Sequence, residues 1–148
     1  MKGRTFLIWG GVFLAMFTAA LWYTQFHAYY REMPAETVVM GVYPVSEWTG
    51  IDATSSPLKK RVCLRVSEET AQRIHDEQFE LNGAEPLVAP GWFECFDARQ
   101  IARDLEAGVA QFYLIGPSES EGVDEFLALY PDGRGYIWPQ LQARYRAQ

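Results

Sequence analysis

VDEFLALYPDGRGYIW, residues 123–138, sets two apolar runs on either side of Pro131-Asp132-Gly133. An Asp-Gly step allows the tight reversal that antiparallel strands need, so Val123 to Tyr130 and Arg134 to Trp138 are predicted to form a hairpin. Upstream, Gly116 to Gly122 (GPSESEG) reads as a polar loop, and Val109 to Ile115 (VAQFYLI) as the strand before it. Downstream, Pro139 to Arg146 reads as a short terminal helix. Ahead of these strands Asp97 is placed to cap a helix over Ala98 to Ala107, with Gln100 three positions on and Gly108 as its left-handed terminator.

The preceding segment, Ala84 to Trp92 (AEPLVAPGW), is a proline-rich loop, entered from Asn82-Gly83. Ser67 can cap a second helix over 67–80, whose apolar face would carry Ala71, Ile74, His75 and Phe79 at helical spacing. Arg61 to Val66 (RVCLRV) alternates, with Val62, Leu64 and Val66 on one face and Cys63 on the other. Ser46 to Lys60 reads as an irregular loop, and Thr37 to Val45 (TVVMGVYPV), apolar and β-branched, as a first strand. The element order predicts an α+β domain, a small mainly antiparallel sheet with two or three helices on one face.

Ahead of this domain stand twenty uncharged residues, Thr5 to Thr24 (TFLIWGGVFLAMFTAALWYT). As a helix they would span about 30 Å, the hydrocarbon thickness of a bilayer. A secretory signal would be cut near Thr18-Ala19-Ala20 and leave a mature chain starting Leu21-Trp22-Tyr23. Retention as a single-pass anchor instead sets Trp22 and Tyr23 at the headgroup level, and is the expectation. Residues 25–33 should extend the helix until Met33-Pro34 stops it, which gives a helical unit over 1–33 and a domain over 34–148. Lys2, Arg4 and the terminal amine favour a cytoplasmic N-terminus and a periplasmic domain. Gly11, Ala15 and Ala19 fall four apart and form a ridge of small side chains against which another helix can pack.

With Lys2 and Arg4 set apart, the 13 basic residues fall to 11 against 19 acidic ones, a domain charge of −8. An acidic surface repels nucleic acid and anionic lipid, and no glycine-rich phosphate loop follows a strand, so nucleic acid, anionic lipid and nucleotide are not expected partners. Cys63 and Cys95 are expected to pair outside the cytoplasm, where a bridge closing roughly thirty residues contributes about 3 to 4 kcal/mol. Two buried free thiols are the alternative.

His27 and His75 are the only histidines, and no cysteine or histidine spacing fits zinc or haem, so no cofactor or metal is expected. Paired carboxylates at Glu68-Glu69, Glu119/Glu121 and Asp124-Glu125 sit at a helix start or in polar loops, better suited to helix dipoles and solvent than to catalysis. The exception is the proline-rich loop. Pro86, Leu87, Val88, Pro90, Trp92 and Phe93 form a stiffened apolar segment of the composition found in protein interfaces, with a lid over the core as its alternative. A sugar cleft between Trp48 and Trp92 is a weaker reading.

Three stretches, Ile51 to Pro57 (IDATSSP), Asn82 to Asp97 (NGAEPLVAPGWFECFD) and Tyr130 to Tyr136 (YPDGRGY), together resemble an uncharacterised alphaproteobacterial family defined as a domain of unknown function. The resemblance implies no activity. Some members carry a histidine kinase label, but this chain has neither a phosphoacceptor helix pair nor ATP-binding glycine boxes. The expectation is a non-catalytic accessory subunit or assembly factor, docked on integral membrane subunits of a larger inner-membrane complex, with a respiratory electron-transfer complex the first candidate. A periplasmic ligand-binding or sensing module and an anchored enzyme are the alternatives.

Overall fold

Unbroken apolar character makes Lys2–Phe26 one helix, α1, long and apolar enough to cross a membrane by length and composition. None of its residues is buried against the domain, as a soluble protein's core helix would be. The computed structural model describes residues 2–146. Met1, whose amine enters the orientation expectation, and Ala147 and Gln148 of the expected 34–148 domain lie outside them.

Beyond α1 the described chain forms strands β1 (Tyr30–Glu32), β2 (Glu47–Ala53), β3 (Arg61–Arg65), β4 (Gln111–Pro117), β5 (Val123–Leu129) and β6 (Arg134–Leu141). Helices α2 (Glu68–Glu77) and α3 (Ala98–Glu106) stand between β3 and β4, and the single turn α4 (Ala143–Arg146) follows β6. All strand pairs are antiparallel in the order β1-β2-β3-β6-β5-β4. The α+β class is as the sequence indicates.

The β5–β6 hairpin closes as its residues predict. Tyr130 N–H donates to the Arg134 carbonyl at 2.8 Å and Gly133 N–H to the Tyr130 carbonyl at 3.0 Å. Gly133 has φ 87°, a conformation that costs an L side chain dearly, and a Cβ there would run into the Val66 carbonyl. The Gly133 carbonyl in turn accepts from Val66 N–H at 2.9 Å, so the turn also fastens the end of β3.

Strand periodicity sends alternate residues to two cores. One face gathers Val62, Leu64, Leu127, Leu129, Ile137 and Tyr113 under Ile74 of α2 and the irregular segment carrying Val39 and Met40. The other gathers Ile51, Phe112, Phe126, Ala128 and Trp138 under Ile101 of α3, with Phe93 and Phe96 of the proline-rich loop. The two helices therefore cover opposite faces instead of sharing one. The chain changes face around the β4 edge, where Leu81 N–H donates to the Phe112 carbonyl at 2.7 Å and Glu80 bridges Tyr113.

Several local expectations are corrected. Of the segment 25–33 only Gln25 and Phe26 extend α1: the helix ends at Phe26, and Tyr30–Glu32 pairs with Ala53–Ile51, so the sheet begins ahead of residue 34. Segment 37–45 is not a strand, because its apolar residues split between a buried Val39-Met40 pair and Val38 and Val42, which are 73% and 78% exposed. The strand lies instead at Glu47–Ala53, within the expected loop. Gly50 permits this, since a Cβ there would stand 2.7 Å from the Met33 Sδ. Helix α2 ends at Glu77 rather than 80, which leaves Phe79 outside it and 89% exposed, and the buried face of the helix is Thr70 and Ile74, with His75 exposed beside it. Strand β6 absorbs Pro139 to Leu141, so the terminal helix shrinks to α4.

Gly133→Val should lower unfolding stability by about 2 to 3 kcal/mol. Urea denaturation followed by tryptophan fluorescence measures the loss, seen as a lower midpoint.

Candidate functional site

The proline-rich loop runs across the second face of the sheet without secondary structure from residue 84 to residue 90, so its carbonyls need donors from elsewhere. Two buried side chains provide them. Arg61, only 4% exposed, donates from Nε to the Leu87 carbonyl at 2.9 Å and from Nη2 to the Val88 carbonyl at 3.1 Å. Its Nη1 donates to the carbonyls of Leu58 and Lys60 at 2.7 and 2.6 Å. No carboxylate pairs with this guanidinium among the described residues; its plane lies 5.8 Å over the Phe96 ring. Burial pulls its pKa down to about 10, still far above neutrality, so the cation persists.

Gln140 performs the same service further along. Its Oε1 accepts from Glu85 N–H at 3.0 Å and from Trp138 Nε1 at 3.3 Å, and its Nε2 donates to the Gly83 carbonyl at 3.1 Å. The end of the loop is fixed covalently, because Cys63 of β3 and Cys95 are bridged, with their Cα atoms 6.3 Å apart. The loop is thus a strap, held by a guanidinium, an amide and a disulfide.

This arrangement revises the reading of the loop as an open interface. Pro90 and Phe93 are buried and Pro86 and Leu87 half-buried, with Phe93 and Leu87 packed in the cluster of Phe126 and Trp138. Val88 and Trp92 remain outside. Trp92 is 40% exposed, and its Nε1 donates to the carbonyl of Phe26, the last residue of α1, at 2.6 Å. Such end carbonyls have no partner within their own helix.

Around that bond lies a collar of aromatic rings. The Trp92 ring stacks on His27 at 5.9 Å and meets Tyr30 edge-on at 5.9 Å, while Trp22 and Tyr23 pack on His27 at 4.7 and 6.1 Å. Lys59 places its ammonium 5.8 Å from the Tyr29 ring and 5.3 Å from the Tyr30 ring. Trp22 and Tyr23, expected at a membrane surface, therefore sit next to the point where the domain grips the helix. Gly11, Ala15 and Ala19 lie exposed along α1, and a Cβ on Gly11 would meet nothing within 4 Å.

Elsewhere, a groove of about 610 Å³ opens between β1, the 53–60 turn and the 118–120 loop, lined by Arg31, Glu32, Asp52, Lys60, Glu119 and Glu125. Lys60 and Glu125 pair across it at 2.7 Å. On the α3 side, the Tyr130 hydroxyl donates to Asp104 at 2.6 Å; burial, with that carboxylate beside it, pushes the phenol far above its ordinary pKa. His75 Nδ1 lies 3.0 Å from the Tyr113 hydroxyl. Among the described residues no three metal-binding side chains converge.

Sequence reasoning missed Arg61. A signal existed: alternation in RVCLRV puts Arg61 on the Cys63 face, and a bridge to Cys95 necessarily brings the loop onto that face. The Trp92–Phe26 bond left no such trace.

Arg61→Met should cost about 3 kcal/mol, since it strands several buried carbonyls at once, and should speed proteolytic cutting within 84–93. Thermal melts and limited proteolysis read the two effects. The paired change Cys63→Ser with Cys95→Ser should cost about 3 to 4 kcal/mol, seen as a drop in melting temperature that reductant reproduces in the native chain.

No curated protein and no solved structure matches the chain. Residues 32–148, from the last residue of β1 through the whole strapped sheet, match the family of unknown function DUF6446, and the chain belongs to that family.

Proposed function

We propose that this protein is a single-pass accessory subunit or assembly factor without a reaction of its own, whose α1 docks on integral subunits of an inner-membrane complex and whose acidic domain stands on the periplasmic side. The observation that carries the reading is that no residue of α1 is buried, yet the helix is bonded to the domain at its end through Trp92. A helix so displayed has its apolar surface free for lipid and for other helices, and the Gly11, Ala15 and Ala19 ridge is the side on which backbones approach most closely. The disulfide supports a domain held outside the cytoplasm. Among complexes of that membrane, those that transfer electrons are the first to probe.

A second reading, a ligand-binding module, draws on the 610 Å³ groove with its charged rim. An open groove whose central Lys60 and Glu125 already satisfy each other is a weaker support than the exposed helix.

Purification of the tagged full chain from membranes in mild detergent should recover stoichiometric integral membrane proteins, and Ala15→Leu should deplete them while leaving the chain in the membrane. Migration of the native chain alone would refute the subunit reading.

A further inference from the structure

The end of α1 gives a ruler for the domain, once α1 is read as membrane-spanning as above. Counted from Thr5, the first residue after Arg4, about twenty helical residues complete the roughly 30 Å of hydrocarbon at Thr24; Phe26 lies two residues further on, so at about 1.5 Å per residue its carbonyl stands roughly 3 Å outside that edge. The headgroup layer is about 5 to 7 Å deep on each side. The Trp92 indole nitrogen is 2.6 Å from that carbonyl. Trp92 belongs to the domain, so a domain side chain, and not only residues of α1, is held at headgroup depth.

We infer that Gly91-Trp92 and Lys59 form a foot by which the domain rests on the phospholipid headgroups beside its own anchor. Three observations carry it. Trp92 is 40% exposed after its contacts with His27 and Tyr30 are made, so part of its ring faces outward at a depth where indoles settle. Gly91 beside it is exposed, and a Cβ there would meet nothing within 4 Å, so the strap is open to the surroundings at this point. Lys59 lies over Tyr29 and Tyr30, three and four residues past the end of α1, and among the described residues is in no ion pair, which leaves its ammonium available to lipid phosphate.

The foot is rigid because the strap is rigid. Arg61 holds the carbonyl of Leu58 next to Lys59 and those of Leu87 and Val88 upstream of Trp92. One buried guanidinium thus fixes both parts of the foot relative to each other. A domain joined only by a flexible linker would tumble above the bilayer; this one is predicted to keep a fixed tilt.

The test is magnetic resonance of the full chain in lipid nanodiscs that carry a gadolinium-chelating headgroup lipid. The Gly91 amide, the Trp92 indole N–H and the Lys59 amide should lose their signals, while the Phe79 amide, at the opposite edge of the sheet, should keep its own. In Trp92→Ala the Gly91 and Lys59 signals should return with the chain still in the disc, and Trp92→Phe, which keeps a ring but no indole donor, should restore them only in part. Retention of all three signals by the native chain in discs would overturn the foot. Elution of the native chain free of discs would overturn instead the membrane-spanning reading on which it rests.

Discussion

A buried arginine whose guanidinium is given over to backbone carbonyls organises this domain. The sheet has two apolar faces, and the chain offers two short helices and a length of irregular backbone to cover them. Irregular backbone over a core is normally prohibitive, because each carbonyl taken from water needs a donor. Arg61 solves this with one side chain: its fork reaches the carbonyls of Leu58, Lys60, Leu87 and Val88. Lysine, with a point charge and no fork, has no equivalent geometry. Gln140 and the Cys63–Cys95 bridge extend the same solution to both ends of the strap.

The strap links the core to the surface of the molecule where α1 departs. Phe93 faces inward to the Phe96, Phe112 and Trp138 cluster, while Trp92 beside it faces outward to His27 and the end of α1. The reversal comes from a turn, closed by Phe93 N–H donating to the Pro90 carbonyl at 2.9 Å, with Gly91 and Trp92 at its centre. Here it makes one dipeptide both a core residue and a grip on the helix.

Local signals in the sequence described this fold where one segment settled its own structure. The Asp-Gly turn, the alternation of RVCLRV, and the Ser67 and Asp97 caps are all present, with Thr70 N–H and Gln100 N–H donating to those caps. Reading failed where a distant neighbour decides. Glu47–Ala53 carries Gly50 and Asp52 and looks like a loop until Met33 is packed over the glycine. Residues 37–45 look like a strand but fold as irregular backbone that buries Val39 and Met40, and Tyr30–Glu32 is too short to announce itself. Of the candidate site, the cysteine pair and the importance of the proline-rich loop were legible. The inward packing of Phe93, and the bond from Trp92 to α1, depend on contacts between residues dozens of positions apart.

The central pairing of β3 with β6 has a consequence for biogenesis. These neighbours in the middle of the sheet are joined by the whole excursion through α2, the strap, α3, β4 and β5. Antiparallel contacts so distant along the chain form slowly, because the intervening loop must be ordered first. During synthesis the early strands emerge with their apolar side chains unshielded and wait for the last strand to arrive. A newborn molecule of this kind is vulnerable over most of its elongation, and an attendant chaperone that holds it until β6 is released would meet a need written into the topology.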